Sequence, residues 1–405
     1  MENLSSLKNI NLKNKRVFLR ADLNVPLEDK KILEDYRIKA ILPTIDYIQK
    51  NGGKVILATH IGRPNAKSET NFFDENLSTK IISSYLNKNK YKTDYVIDIK
   101  KAIEKSYQDF DKILLIENLR FFNGEKETSN TFAELLSQLS DIYVNDAFGV
   151  LHRNDTSVTL LTQQFPKENR SFGLLAEKEV NVLSKLKENP KQPFVIVLGG
   201  SKVIDKISML NQFLMQPKEN MAREIIIGGA IANTFLKARN IDVGLSKVED
   251  ENVKIAKEFL ELAKKSNINI SLPIDVRVTS KSLTEPAEIC NLDSVPSNKM
   301  IVDIGPKTEK LFSEKIQSAK TIFANGTMGI YEKPEYANGS RKILNAIAKS
   351  NAYSVIGGGD ATAAALKFKL DKKFNFLSTG GGATLKFLSS KNPFKDMPGL
   401  RNMIK

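Results

Sequence analysis

Two stretches of this 405-residue chain repeat one unusual arrangement, "SVIGGGDATAAALKF" at 354–368 and "FNFLSTGGGATLKFL" at 374–388. In each, an apolar run ends in three glycines and a helical pattern starts at once. Three more apolar runs end in glycine, at "GGSK" (199–202), "IGGA" (227–230) and "ANGT" (324–327). Glycine at the carboxyl end of a parallel strand lets phosphate oxygens reach backbone amides and the positive end of the next helix. A lone turn of this kind needs only a residue that tolerates positive φ. Five in one half of a chain point to a bound nucleotide. No G-x-x-x-x-G-K-[ST] occurs, which removes the P-loop class. No acidic residue closes the strand after Gly357, Gly359 and Thr362, which argues against a dinucleotide fold. Asp360 has two readings. It caps the helix that follows, or it holds a Mg²⁺ that reconciles a carboxylate with phosphates cradled by Gly357 to Gly359.

The first half selects other residue types. Arg20 and Asp22 follow an apolar run in "RADLNVP", and Arg37 opens a helical pattern in "EDYRIKA". His60 and Arg63 stand in "THIGRP", Arg120 in "ENLRFF", and His152 and Arg153 in "NDAFGVLHR". Lysine is the common cation of this sequence, so arginine at these places implies a bidentate grip on phosphate or carboxylate. One such arginine would be read as a surface ion pair. Five at strand ends indicate one small anionic ligand. A nucleotide half with magnesium and a polyanion half describe a kinase that closes.

These residues need a scaffold that gathers strand ends on one edge. Short apolar runs alternate with amphipathic ones throughout, the pattern of β/α units around parallel sheets. Strands are expected at 16–20, 54–60, 94–98, 112–118 and 141–146, then at 194–200, 224–229, 269–275, 300–305, 321–326, 353–359 and 374–381. A helix is expected over 36–51, kinked or broken by Pro43. The fold class is α/β, with two doubly wound parallel-sheet (Rossmann-like) domains joined by a hinge helix. The domains are expected at 1–172 and 191–389, with the helix at 173–190 and an irregular tail, 390–405, packing back on the first domain.

The formal net charge is +14, but lysine is scattered among asparagines, as in "NLNKNKYK". That favours a solvated surface over a nucleic-acid site. A single cysteine, Cys290, excludes an intramolecular disulfide and fits a reducing compartment. No apolar signal core or run of membrane-spanning length is present, so a cytoplasmic protein is expected, monomeric and without membrane or nucleic-acid partners.

With "RADLNVP", "THIGRP", "ENLRFF", "NDAFGVLHR", "FGLLAEKEV", "GGSKVIDKI", "IGGAIANTF", "DIGPKT", "ANGTMGIYE", "GGGDATAA" and "STGGGATL" in this order, the chain resembles the phosphoglycerate kinases over nearly its whole length. The resemblance implies reversible transfer of phosphate between 1,3-bisphosphoglycerate and MgADP, giving 3-phosphoglycerate and MgATP. It implies a phosphoglycerate site of Asp22, Asn24, Arg37, His60, Arg63, Arg120 and Arg153, with Arg20 completing the patch. It implies a nucleotide site of Lys202, Lys206, Gly228, Gly229, Asn325, Glu332, Gly358, Gly359, Asp360 and Ala361, with Asp360 on Mg²⁺. Arg37, Lys202, Gly359 and Gly382 would act on the phosphoryl group in flight. The chain departs from the family pattern at Ala324 and Thr327, where W-N-G-P is usual. Ala361 stands where a hydroxyl residue is common, so a side-chain contact to the nucleotide phosphates is expected either to be lost or to be taken over by Thr362. "NDTS" after Arg153 puts Asp155 beside the anion site. The rival readings are another carboxylate kinase on this scaffold, or a catalytically weak paralogue that binds anions or nucleic acid.

Overall fold

Runs of consecutive apolar residues such as "VFL" and "ILLI" bury both faces of a strand, which requires a parallel sheet covered on each side. The computed structural model describes residues 4–64, 73–108 and 111–403, and it forms two units, Met1–Asn181 with Asn392–Lys405, and Val182–Lys391. The first unit contains β1 (Arg16–Ala21), a small hairpin of β2 (Leu27–Glu28) and β3 (Lys31–Ile32), α1 (Tyr36–Lys50), β4 (Lys54–Ala58), α2 (Lys80–Lys88), β5 (Thr93–Val96) and α3 (Ile99–Ser106). It continues with β6 (Ile113–Ile116), α4 (Asn130–Ser137), β7 (Ile142–Asp146), α5 (Leu160–Gln163) and β8 (Arg170–Phe172). Six strands pair in parallel in the order β5-β6-β4-β1-β7-β8. Val17, Leu19, Val55, Leu57, Ile113, Leu115 and Val144 face α1 and α2 in one core with Ile38, Ile41, Ile45, Ile48, Ile82 and Leu86. Helix α1 runs unbroken through Pro43, contrary to the expected break. Proline there removes one ladder bond, and the burial of Ile41, Thr44, Ile45 and Ile48 holds the turn.

Helix α6 (Leu174–Glu188) contains the boundary between the units. The second unit comprises β9 (Phe194–Leu198), α7 (Val203–Leu214), β10 (Glu224–Ile227), α8 (Gly229–Ala238), α9 (Val253–Lys265), β11 (Asn269–Ser271), β12 (Asp275–Thr279), β13 (Glu288–Asn291) and β14 (Met300–Ile304). After these come α10 (Pro306–Gln317), β15 (Thr321–Asn325), α11 (Asn338–Lys349), β16 (Tyr353–Gly357), α12 (Gly359–Lys367), β17 (Phe376–Leu377) and α13 (Gly382–Ser389). Its parallel sheet has the order β11-β10-β9-β15-β16-β17. The order reverses between β9 and β15, the place where open α/β sheets form a ligand crevice.

Two expected strands belong elsewhere. The run 269–275 splits, because Pro273 offers no amide to a ladder, and its end starts β12 in an antiparallel sheet ordered β13-β12-β14. The run 300–305 is β14 of that same sheet and not a member of the parallel one. Asp275 is meanwhile drawn to the start of α10, accepting from the amides of Lys307 at 2.9 Å and Thr308 at 2.7 Å.

The tail is more regular than expected. Two single helical turns, Pro393–Asp396 and Pro398–Arg401, each begin on a proline, a residue suited to the first helical position. They bury Met397, Leu400 and Met403 in the first unit, and the Gly399 amide donates to the Leu151 carbonyl at 2.9 Å. A chain ending at Lys391 should therefore melt at least roughly 5 °C lower in calorimetry, since several apolar side chains at about 1.5–3 kcal/mol each are lost. An unchanged melting curve would contradict this packing.

Candidate active site

Helices start in two ways, and in the first unit α1, α2 and α5 have no side-chain cap while α3 and α4 do. In the first unit, α3 is capped by Asp98, which accepts from the Lys101 amide at 2.9 Å, and α4 by Ser129, which accepts from Phe132 at 3.3 Å. In the second, α7, α8, α12 and α13 begin after Lys202, Gly228, Gly358 and Gly381, none of which gives a side-chain cap. Their first amides remain available to an anion.

The glycines of this edge fall into two groups. A β-carbon on Gly199 would lie 2.6 Å from the carbonyl carbon of Thr327, one on Gly229 2.6 Å from the Gly200 amide, and one on Gly326 2.9 Å from that same nitrogen. These loops pack backbone against backbone. Gly228 is pressed against Met328, and Gly358, at φ +95°, against the Asn325 amide group. Around Gly359, Gly381 and Gly382 there is open space. This second group leaves room for a ligand against bare backbone.

A cavity of about 310 Å³ lies in the second unit beside these loops, lined by Gly200, Ser201, Gly229, Asn233, Lys247, Asp303, Tyr331, Glu332 and Asp360 among others. Gly229, Glu332 and Asp360 of the expected nucleotide residues line it. Asp360 is exposed in the first turn of α12 and caps nothing, because Gly358 occupies the cap position. Lys202 is exposed at the start of α7, and Lys206 folds back to donate to the Lys202 carbonyl at 3.3 Å. Three expectations shift inward. Asn325 is buried and donates to the Gly357 carbonyl at 2.9 Å, so it shapes the glycine loop from behind. The Ala361 side chain is wholly buried. Thr362 is also buried and turns to the Ser378 carbonyl at 3.4 Å, which favours loss of the phosphate contact over its transfer to Thr362. Asp303 was not singled out from the sequence. It is buried, accepts from the amides of Gly339 and Ile304, and is raised to about 7 by burial against the pull of Arg277.

In the first unit the expected residues collect at the carboxyl edge of β1, β4, β6 and β7. Asp22 pairs with Arg37. Asn24 accepts from the Gly62 amide at 2.8 Å while Arg120 donates to the Gly62 carbonyl, so the two fix the loop that carries His60 and Arg63. Arg63 is exposed and Arg153 half-buried. The crowding of cations is visible in their protonation. Burial and Arg20, Arg120, Arg153 and Arg37 hold His60 well below its ordinary value, so its ring is neutral. Burial and Arg153 lower Arg120 to about 10, against Asp155, whose carboxylate is 4.0 Å away. Arg20 lies deeper than expected. It is fully buried and is bound by Ser157 at 2.8 Å, with Glu125 at 3.8 Å. Glu125 and Ser157 escaped the sequence reading because neither motif nor charge pattern marks them.

Residues 7–391 match the family model described as phosphoglycerate kinase. The chain belongs to the phosphoglycerate kinase family. A phosphoglycerate kinase from Coxiella burnetii is similar at 37% identity and a TM-score of 0.84, covering 99% of each chain. One from Pyrococcus horikoshii OT3 is similar at 32% identity and a TM-score of 0.85, covering 99% of this chain and 98% of that one. The protein is accordingly a phosphotransferase with a carboxyl group as acceptor, and it carries out the glycolytic phosphoglycerate kinase reaction with a nucleotide as co-substrate.

The two groups of glycines should respond differently to alanine. Gly229→Ala, at φ +61° and against backbone, should cost at least about 1–3 kcal/mol in denaturant unfolding. Gly382→Ala should leave unfolding unchanged and lower kcat. Equal stability of the two variants would refute the division.

Proposed function

We propose that the basic centre of the first unit holds 3-phosphoglycerate or its acyl phosphate, and that the cavity of the second holds the nucleotide as its magnesium complex. The reading is carried by the partition of chemistry. Arginines paired with few carboxylates stand in one unit, and uncapped helix starts with open glycines stand in the other. Arg37, Asp22, Asn24, His60, Arg63, Arg120 and Arg153 would grip the phosphoglycerate, with Arg20 behind them. Lys202, Lys206, Gly228, Gly229, Glu332 and the loop Gly358–Asp360 would grip the nucleotide. Adenine nucleotides, a monomeric state and a cytoplasmic location belong to the same reading.

Asp360 fits the metal. It is one exposed carboxylate, not used as a cap, on the wall of the cavity, and Mg²⁺ bound with a nucleotide takes one or two carboxylates beside phosphate oxygens. Bound there, Mg²⁺ would neutralise phosphate charge. The attacking group is a carboxylate already ionised at neutral pH, so no general base is needed. Its oxygen forms a bond to the γ-phosphorus as the bond to the β-bridging oxygen breaks. Lys202, Arg37 and the amides of Gly359 and Gly382 would meet the charge spread over the transferred group.

Supplying MgATP and 3-phosphoglycerate should give ADP only when both are present. Lys202→Ala should lower kcat by roughly 10²–10³ with folding intact. Asp360→Asn should lower activity steeply at ordinary magnesium while the melting temperature stays, because no cap is lost. ADP formation without 3-phosphoglycerate, or near-parental turnover in both variants, would sink the assignment.

Transfer also requires attacking oxygen and phosphorus within about 3–3.5 Å of each other. Substrates held by different units must then be brought together, with α6 as the hinge element. Small-angle scattering should show the radius of gyration falling most when both substrates are bound. Superimposable curves for the free and doubly liganded active enzyme would exclude closure.

A further inference from the structure

Behind the cationic centre of the first unit runs a buried chain of polar groups that the transfer mechanism does not use. Glu125, Ser157 and Arg20 have no exposed surface, and His60 is 1% exposed. The Ser157 hydroxyl donates to Glu125 Oε1 at 2.6 Å, and the Ser157 amide donates to Oε2 at 3.0 Å. Arg20 Nε donates to Ser157 Oγ at 2.8 Å, and Arg20 Nη2 lies 3.3 Å from His60 Nδ1.

Donor chemistry orients this chain. A guanidinium has no acceptor, so Nδ1 of His60 must present its lone pair to Arg20. The proton of the neutral ring is therefore on Nε2. An imidazolium would set N–H against N–H in a place already crowded by Arg20, Arg37, Arg120 and Arg153. Ser157 can accept from Arg20 because its single proton is committed to Glu125, and in the ionised form both Glu125 oxygens accept; burial raises that carboxyl to about 7 against the pull of Arg20. The groups facing Glu125 are Arg20, Asp155 and Arg120 in addition to Ser157.

We propose that Glu125, acting through Ser157 and Arg20, is a positioning residue that holds His60 as the neutral Nε2–H tautomer, so that the ring meets an anionic ligand with an N–H donor. The consequence for phosphoglycerate binding rests on the assignment of His60 to that site, whereas the tautomer itself does not. A neutral donor can recognise a phosphate or carboxylate without adding to the surrounding positive charge, and it keeps that role where a free histidine would titrate.

The chain has two histidines, His60 and His152, so selective ¹⁵N labelling resolves each ring. In the free parent enzyme, long-range ¹H–¹⁵N spectra should show His60 protonated on Nε2 at about pH 8, where Glu125, raised to about 7 by burial, is ionised, and the hold should loosen as pH falls below that value. Ser157→Ala and Glu125→Gln should give a mixed or titrating His60 while the His152 signals stay. The KM for 3-phosphoglycerate should rise about three- to tenfold, the worth of one weakened buried hydrogen bond, with the KM for MgATP unchanged. A proton on Nδ1 in the parent overturns the proposal without any variant being made. So does a His60 ring and KM unaltered in both variants. A ring that responds in both, in an enzyme whose turnover does not need 3-phosphoglycerate, supports the positioning and overturns the ligand assignment instead.

Discussion

The loops after β9, β10 and β15 meet backbone to backbone, and the nucleotide side of the molecule depends on that contact. The Gly200 amide donates to the Thr327 carbonyl at 2.8 Å, the Ile231 amide to the Gly200 carbonyl at 2.9 Å, and the Gly229 amide to the Met328 carbonyl at 3.2 Å. No side chain fits between chains this close. The contact satisfies polar groups that would otherwise be stranded at strand ends. It also fixes the start of α8 and, through Asn325 on the Gly357 carbonyl, the start of α12. Gly359, Gly381 and Gly382 can be left open because their neighbours are held so tightly.

The other unit faces the opposite problem, which is to gather several cations in one place. Like charges in a partly desolvated place repel strongly. Three of these guanidiniums, two of them buried, have nearby partners. Arg37 has Asp22, Arg20 has Glu125 through Ser157, and Arg120 has Asp155 and the Gly62 carbonyl. His60 stays neutral. Asp155 is part of this balance. Arg63 is exposed and Arg153 half-buried.

Much of this was legible in the residues. Alternating apolar runs and helical patterns gave both parallel sheets, since a strand covered on both faces has to be apolar at successive positions. Glycine and arginine at strand ends marked the two chemistries. Where reading failed, a non-local partner decided. Residues 300–305 look like any parallel strand, and only pairing with β12 places them in an antiparallel sheet. Pro43 signals a break, yet burial on both sides of it holds α1 together.

The sequence by itself determined the fold class and the family, because period, residue type and motif order are local properties. It could not say which glycines serve packing and which face open space, because that depends on what lies across a loop on a distant segment, such as Thr327 against Gly199. It could not show that Asn325, Ala361 and Arg20 lie behind the surface they were assigned to. Nor could it find Glu125 and Ser157, which bear on His60 only because β1 and β4 pair side by side and the segments after β6 and β7 fold against their ends. Hydrogen-bond direction and burial are properties of the packed chain, and they decide which of the recognised residues can touch a ligand.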